Sequence, residues 1–158
     1  MPLARQFNEV ICMDLKEFVQ FIDAFRRRLN AVFIKTKKDT EIIKQVFDQW
    51  IKHHGCPKKF LADNGGEFAN EKYKEMNEKL NIEVCHTGAK SPWSNGMVER
   101  HNAVLDECLK KVISDTKCDP EMALGWAVAA NNSLLNNNGF SPDQLTYGKK
   151  CQLLIGSY

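Results

Sequence analysis

An α/β domain is the fold class this sequence predicts, and two observations predict it. Short apolar runs (7–16, 19–25, 30–35, 59–62 and 82–85) share the chain with longer segments whose apolar residues recur at helical spacing. Such an order is typical of a sheet layered with helices. With 158 residues, 43% of them hydrophobic, the chain can also bury one sizeable core.

Phe7 to Lys16 reads as the first strand, apolar on both sides of Asp14. An unpaired buried charge costs several kcal/mol, so Asp14 needs a partner or a strand end open to water. Val19 to Phe25 and Asn30 to Lys35 are the next two runs. Asp39 or Thr40 is expected to cap a helix whose core face is Ile42, Ile43, Val46, Phe47 and Trp50, with Gly55 and Pro57 ending it. Lys59 to Ala62 then forms a short strand that delivers Asp63 to its end. Asn64-Gly65-Gly66-Glu67 follows, where the glycines permit a tight turn.

Phe68 to Leu80 has helical spacing, and Ile82 to Cys85 is the next strand. Thr87 to Asn95, rich in Ser, Pro and Gly, reads as a loop leading into a helix capped by Ser94 or Asn95. Glu99 then falls in the first turn, where the helix dipole favours a carboxylate and free amides suit phosphate oxygens. Glu99, Asn102, Ala103, Asp106 and Lys110 share one face, and Val98, Leu105, Leu109, Val112 and Ile113 face the core. Pro120 to Leu135 is a further helix, packing through Ala123, Leu124, Trp126, Ala127, Ala130 and Leu134. After a loop at 136–140, Ser141-Pro142 opens a last short helix.

The formal charge of +2 does not by itself point to nucleic acid, although Arg26 to Arg28, Lys35/Lys37/Lys38, Lys58/Lys59 and Lys110/Lys111 could form a basic stripe. No apolar run approaches ~20 residues, which excludes a membrane-spanning helix, and 1–9 lack the plan of a secretory signal. The six cysteines are scattered without a Cys-x-x-Cys pair, so a reduced intracellular protein fits better than a disulfide scaffold or a zinc site.

The chemistry concentrates on three carboxylates. Open α/β sheets carry their sites at the carboxyl ends of strands, where Asp63 is expected. Thirty-five residues, Asn64 to Val98, separate Asp63 from Glu99. Two Asp at strand positions and a Glu at a helix start are what a two-metal phosphoryl-transfer site needs.

These residues, together with Gly55-Cys56-Pro57-Lys58-Lys59-Phe60, Asp63 to Phe68, Ser91 to Gly96, Glu99-Arg100-His101-Asn102 and Gly139-Phe140-Ser141-Pro142, resemble a known family. It is the integrase catalytic core of retroviruses and long-terminal-repeat retrotransposons, closest in its gypsy-type branch. The resemblance runs from about Phe7 to Gly148. It implies an RNase H-like fold: α/β, with a mixed central β-sheet flanked by helices. Residues 1–148 are then the core domain and 149–158 a C-terminal tail.

The resemblance further implies Asp14, Asp63 and Glu99 as catalytic residues that bind two Mg²⁺ or Mn²⁺ ions. It implies 3′-end processing and strand transfer of DNA, and a homodimer or higher assembly. Asn64, Asn102, Asn95 and Ser94 correspond to DNA-contacting or carboxylate-flanking positions. The chain departs from the family in two ways. Only Glu17 to Gln20 stand where the family has a longer hairpin after the first Asp strand, so the first hairpin is shortened. Ala103 and Asp106 stand where retroviral relatives carry DNA-holding lysines.

A second expectation is a truncated or domesticated core acting as a non-catalytic DNA-binding or dimerisation module. A third, an RNase H-type nuclease, shares the metal chemistry but not the loop at Ser91 to Gly96. The substrate implies the nucleus as the place of action.

Overall fold

The computed structural model describes residues 4–63, 68, 70–87, 92–135 and 139–149, with the backbone alone at 63, 87 and 92–95. The proposed tail boundary falls at the edge of this range, and 150–158 lie outside the described residues. Five strands, β1 (Val10–Leu15), β2 (Phe18–Asp23), β3 (Leu29–Phe33), β4 (Lys59–Asp63) and β5 (Glu83–Thr87), form one mixed sheet in the order β3-β2-β1-β4-β5. β1–β2 and β2–β3 pair antiparallel, and β1–β4 and β4–β5 pair parallel.

The shortened hairpin is present. Lys16 and Glu17 alone separate β1 from β2, and the Lys16 N–H donates to the Phe18 carbonyl at 3.0 Å. The strands still pair from Ile11↔Asp23 to Leu15↔Val19, so the short connection trims the hairpin without shifting the register away from the sheet centre.

Side chains alternate across the sheet and divide the core in two. Ile11, Met13, Val19, Phe21, Phe60 and Ala62 meet helix α1 (Asp39–Val46), a π-helical turn (Phe47–Ile51), α2 (Lys52–His54) and α3 (Glu71–Lys79). Trp50 sits inside the π turn, fully buried, and its Nε1–H donates to Asn8 Oδ1 at 2.8 Å. On the other face Cys12, Phe18, Ile22, Leu29 and Leu61 pack under α4 (Pro92–Thr116) and α5 (Pro120–Ser133) through Met97, Leu105, Leu124 and Ala127.

Several helix boundaries differ from expectation. Lys38, which makes no side-chain bond, caps α1, and Asp39 and Glu41 occupy its first turn instead. Asn70 caps α3 by accepting from the Tyr73 N–H, leaving Phe68 as a buried core residue ahead of the helix. Asp119 caps α5. Trp126 and Leu134, expected in the core, are 48% and 56% exposed. α5 is apolar on most sides, so its pattern does not select a packing face; the sheet takes Ala123, Leu124 and Ala127.

Two polar contacts fasten the far edge of the sheet. Asn132 of α5 receives the Leu29 N–H and donates to the Leu29 carbonyl, both at 2.8 Å. The short helix α6 (Pro142–Tyr147) starts at a Ser141/Gln144 capping box, and its Asp143 forms an ion pair with Arg28, whose guanidinium lies over the Tyr147 ring.

Candidate active site

The site forms where β1 and β4 end side by side. Their register runs Val10↔Lys59 to Met13↔Ala62, so Asp14 and Asp63 are the next residues on two adjacent parallel strands. Asp14 follows Cys12 by two residues, which puts both on the face covered by α4. Asp14 is half-buried and both carboxylate oxygens are held: Oδ1 accepts from the Leu15 N–H at 3.0 Å, and Oδ2 from Asn102 Nδ2 at 2.5 Å. Four lone-pair positions on a carboxylate leave room beside those two bonds.

Glu99 is exposed on α4, three residues before Asn102 and therefore one turn along the same side of the helix. One turn beyond Asn102, Asp106 lies 3.9 Å from Lys16 at the tip of the β1–β2 turn. Both partners of that ion pair are more than two-fifths exposed, so it adds little stability.

The structure corrects the expected position of Glu99. α4 begins at Pro92, so Glu99 lies two turns inside the helix and has no helix N-terminus to stabilise it. Pro92 is the reason, because its fixed φ and missing N–H suit the first helical position. Ser94 and Asn95 are accordingly helical rather than capping, and the positions of their side chains lie outside the described residues, as does the Asp63 side chain. Asn64 lies outside them altogether. The structure thus brings Asp14 and Asn102 into contact, sets Asp63 beside Asp14 along the backbone and carries Glu99 on the helix that makes the contact.

Sequence reasoning missed Gln20. It is Asp14's cross-strand neighbour on β2, 1% exposed, with neither amide atom hydrogen-bonded. The signal was a lone polar residue in the apolar run Phe18-Val19-Gln20-Phe21-Ile22. Also missed was His101, next to Asn102, whose pKa is pushed down to about 4 by burial and by the charges of Arg27 and Arg100. Burial pushes the Cys12 thiol up to about 12, which makes it a core residue and not a nucleophile.

Among the described residues no cluster of three His, Cys, Asp or Glu side chains gathers closely enough to hold a metal. The donors the sequence supplies at this strand end, Asp14, Asp63 and Glu99, are all carboxylate oxygens, and Asp14 is already oriented by two donors. That chemistry fits a hard divalent cation and not a zinc-type site.

The family model for the TnsB C-terminal domain matches residues 19–114. The chain belongs to this family of integrase-type catalytic cores. It is 28% identical over 135 residues to the Gag-Pol polyprotein of avian reticuloendotheliosis virus, covering 85% of this chain and 12% of that protein. It is also 28% identical over 138 residues to the retrovirus-related Pol polyprotein from transposon 412 of Drosophila melanogaster, covering 85% and 11%. The chain thus spans about a tenth of the length of these curated relatives.

Among solved structures, the magnesium complex of the HTLV-2 integrase catalytic core domain superposes with a TM-score of 0.78 at 20% identity, covering 90% of this chain and 98% of that one. A simian T-cell lymphotropic virus intasome chain superposes with a TM-score of 0.84 at 23% identity, covering 100% and 61%. The integrase-core fold expected from the sequence, RNase H-like with a mixed sheet flanked by helices, is the fold observed.

Proposed function

We propose that this chain is the catalytic core of an integrase-type polynucleotidyl transferase that processes DNA 3′ ends and transfers them into target DNA. The observation that carries the proposal is the alignment of Asp14 and Asp63 on neighbouring strand ends, with α4 joined to Asp14 through Asn102. Asp14, Asp63 and Glu99 would hold two Mg²⁺ or Mn²⁺ ions, which supply activation of a water or a 3′-hydroxyl and stabilisation of the leaving oxygen at phosphorus.

The chain's own residues do the positioning. The Leu15 N–H and Asn102 fix both oxygens of Asp14, so the carboxylate needs little reorganisation when a cation arrives. The exposed side of α4, with Glu99 and Ala103, forms the wall against which DNA would lie, and Asn64, Ser94 and Asn95 would contact its backbone. Assembly as a homodimer or higher integrase complex, and action in the nucleus, belong to the same reading. The dimeric and trimeric forms of the HTLV-2 core are consistent with such assembly.

The test is a Mg²⁺ and Mn²⁺ titration of the purified chain followed by thermal unfolding, beside Asp63→Asn. A ligand at 100 times its Kd stabilises by about 2.7 kcal/mol, roughly a 5–10 °C rise for a domain of this size. The wild type should show this rise and Asp63→Asn should lose it, after which strand transfer is assayed on DNA ends. No rise in the wild type, or an equal rise in both, overturns the proposal.

A further inference from the structure

Gln20 lies on the α4 side of β2 between Phe18 and Ile22, paired across the sheet with Asp14 on one side and Ala31 on the other. It is 1% exposed, and neither Nε2 nor Oε1 has a hydrogen-bond partner. Asn102 is 6% exposed and gives Nδ2 to Asp14, while its Oδ1 is likewise unpaired. Three unpaired polar atoms therefore border one carboxylate, in a layer where an aliphatic side chain would pack at no such penalty.

The unpaired atoms are complementary, since Gln20 Nε2 is a donor and Asn102 Oδ1 an acceptor. Cross-strand Cβ atoms stand roughly 4.5–5.5 Å apart, so the longer Gln20 side chain can extend past Asp14 toward the amide that holds it. The terminal torsion of an asparagine is broad, and a single bond leaves its amide free to swing. A second anchor narrows that swing.

We propose that Gln20 is a positioning residue of the Asp14 centre. Its Nε2 donates to Asn102 Oδ1 and fixes the amide in the orientation that gives Nδ2 to Asp14. Gln20 then acts on the carboxylate through Asn102 and touches no reacting atom. Only the catalytic consequence rests on the function proposed above; the hydrogen-bonded relay itself does not.

The experiment compares wild type with Gln20→Met, which keeps the length and removes the amide. In the metal-free, ¹⁵N-labelled chain, the Asn102 side-chain amide protons should exchange with water several-fold faster in the variant while the melting temperature holds or rises. An unchanged Asn102 signal overturns the proposal. If Gln20→Met fails to fold, Gln20→Asn, one methylene too short to reach, carries the same readout.

Mn²⁺ affinity should fall about tenfold in Gln20→Met, as it does when groups supporting a metal ligand are removed. In an Asn102→Ala background Gln20→Met should cause no further loss; a full tenfold loss there would show that Gln20 does not act through Asn102. If the wild type binds no Mn²⁺ while the Asn102 signal still responds to Gln20→Met, the metal reading fails and the relay stands.

Discussion

Replacing Asn102 with Leu separates what the amide does for the fold from what it does for the site. The side chain is 6% exposed and makes one hydrogen bond, to the Asp14 carboxylate, while its Oδ1 makes none. Losing a bond to a charged acceptor costs about 1.5–3 kcal/mol, and removing an unsatisfied buried carbonyl returns about 1–3 kcal/mol. Leucine has nearly the same volume and adds buried apolar surface. The balance for stability is therefore close to zero, within about 1 kcal/mol, or roughly 2–4 °C in melting temperature.

The site has no such compensation, because Asp14 Oδ2 loses the donor that orients it. Metal affinity should drop about 10- to 100-fold. Calorimetric melting and a Mn²⁺ titration on the same preparation give both numbers. A melting temperature lowered by well over 5 °C would show that the unpaired Oδ1 carries no cost. An unchanged Mn²⁺ affinity would show that the bond to Asp14 is incidental.

Other perturbations test the frame around the site. Asn132→Ala should destabilise by about 3 kcal/mol in denaturant melts, since it strands the buried Leu29 N–H and C=O together. For His54 and His101, burial and neighbouring positive charges push the folded pKa to about 4, below the unfolded value. The unfolded chain therefore binds more protons between those values. Stability should be level above pH 6.5 and decline as pH falls toward 4. A His101→Gln variant should show a flatter decline over that window.

The strands were legible because short apolar runs bounded by turn residues can bury only as strands, and the four-residue gap after Leu15-Lys16 already implied a tight hairpin. The start of α4 was not legible. Ser91 to Gly96 has the composition of a loop, yet Pro92 is a favoured first residue of a helix, and that choice moved Glu99 two turns inward. The burial of Trp126 was misjudged because α5 is apolar on most sides, and only its docking against β3 selects a face. The three carboxylates and Asn102 were found by spacing. Gln20 was not, because its meaning depends on being Asp14's partner across a pairing register that no local pattern encodes.

The double bond from Asn132 to Leu29 has a consequence beyond stability. β3 is the last strand on its side of the sheet, and an outer strand with free amides invites the strand of another chain to pair with it. At Leu29 both backbone groups are already taken by one side chain from α5. An incoming strand would have to evict that amide before it could zip along β3. In a protein whose proposed work requires copies to meet on DNA, this steers chains away from fusing their sheets and toward contacts that helices and loops can make and release.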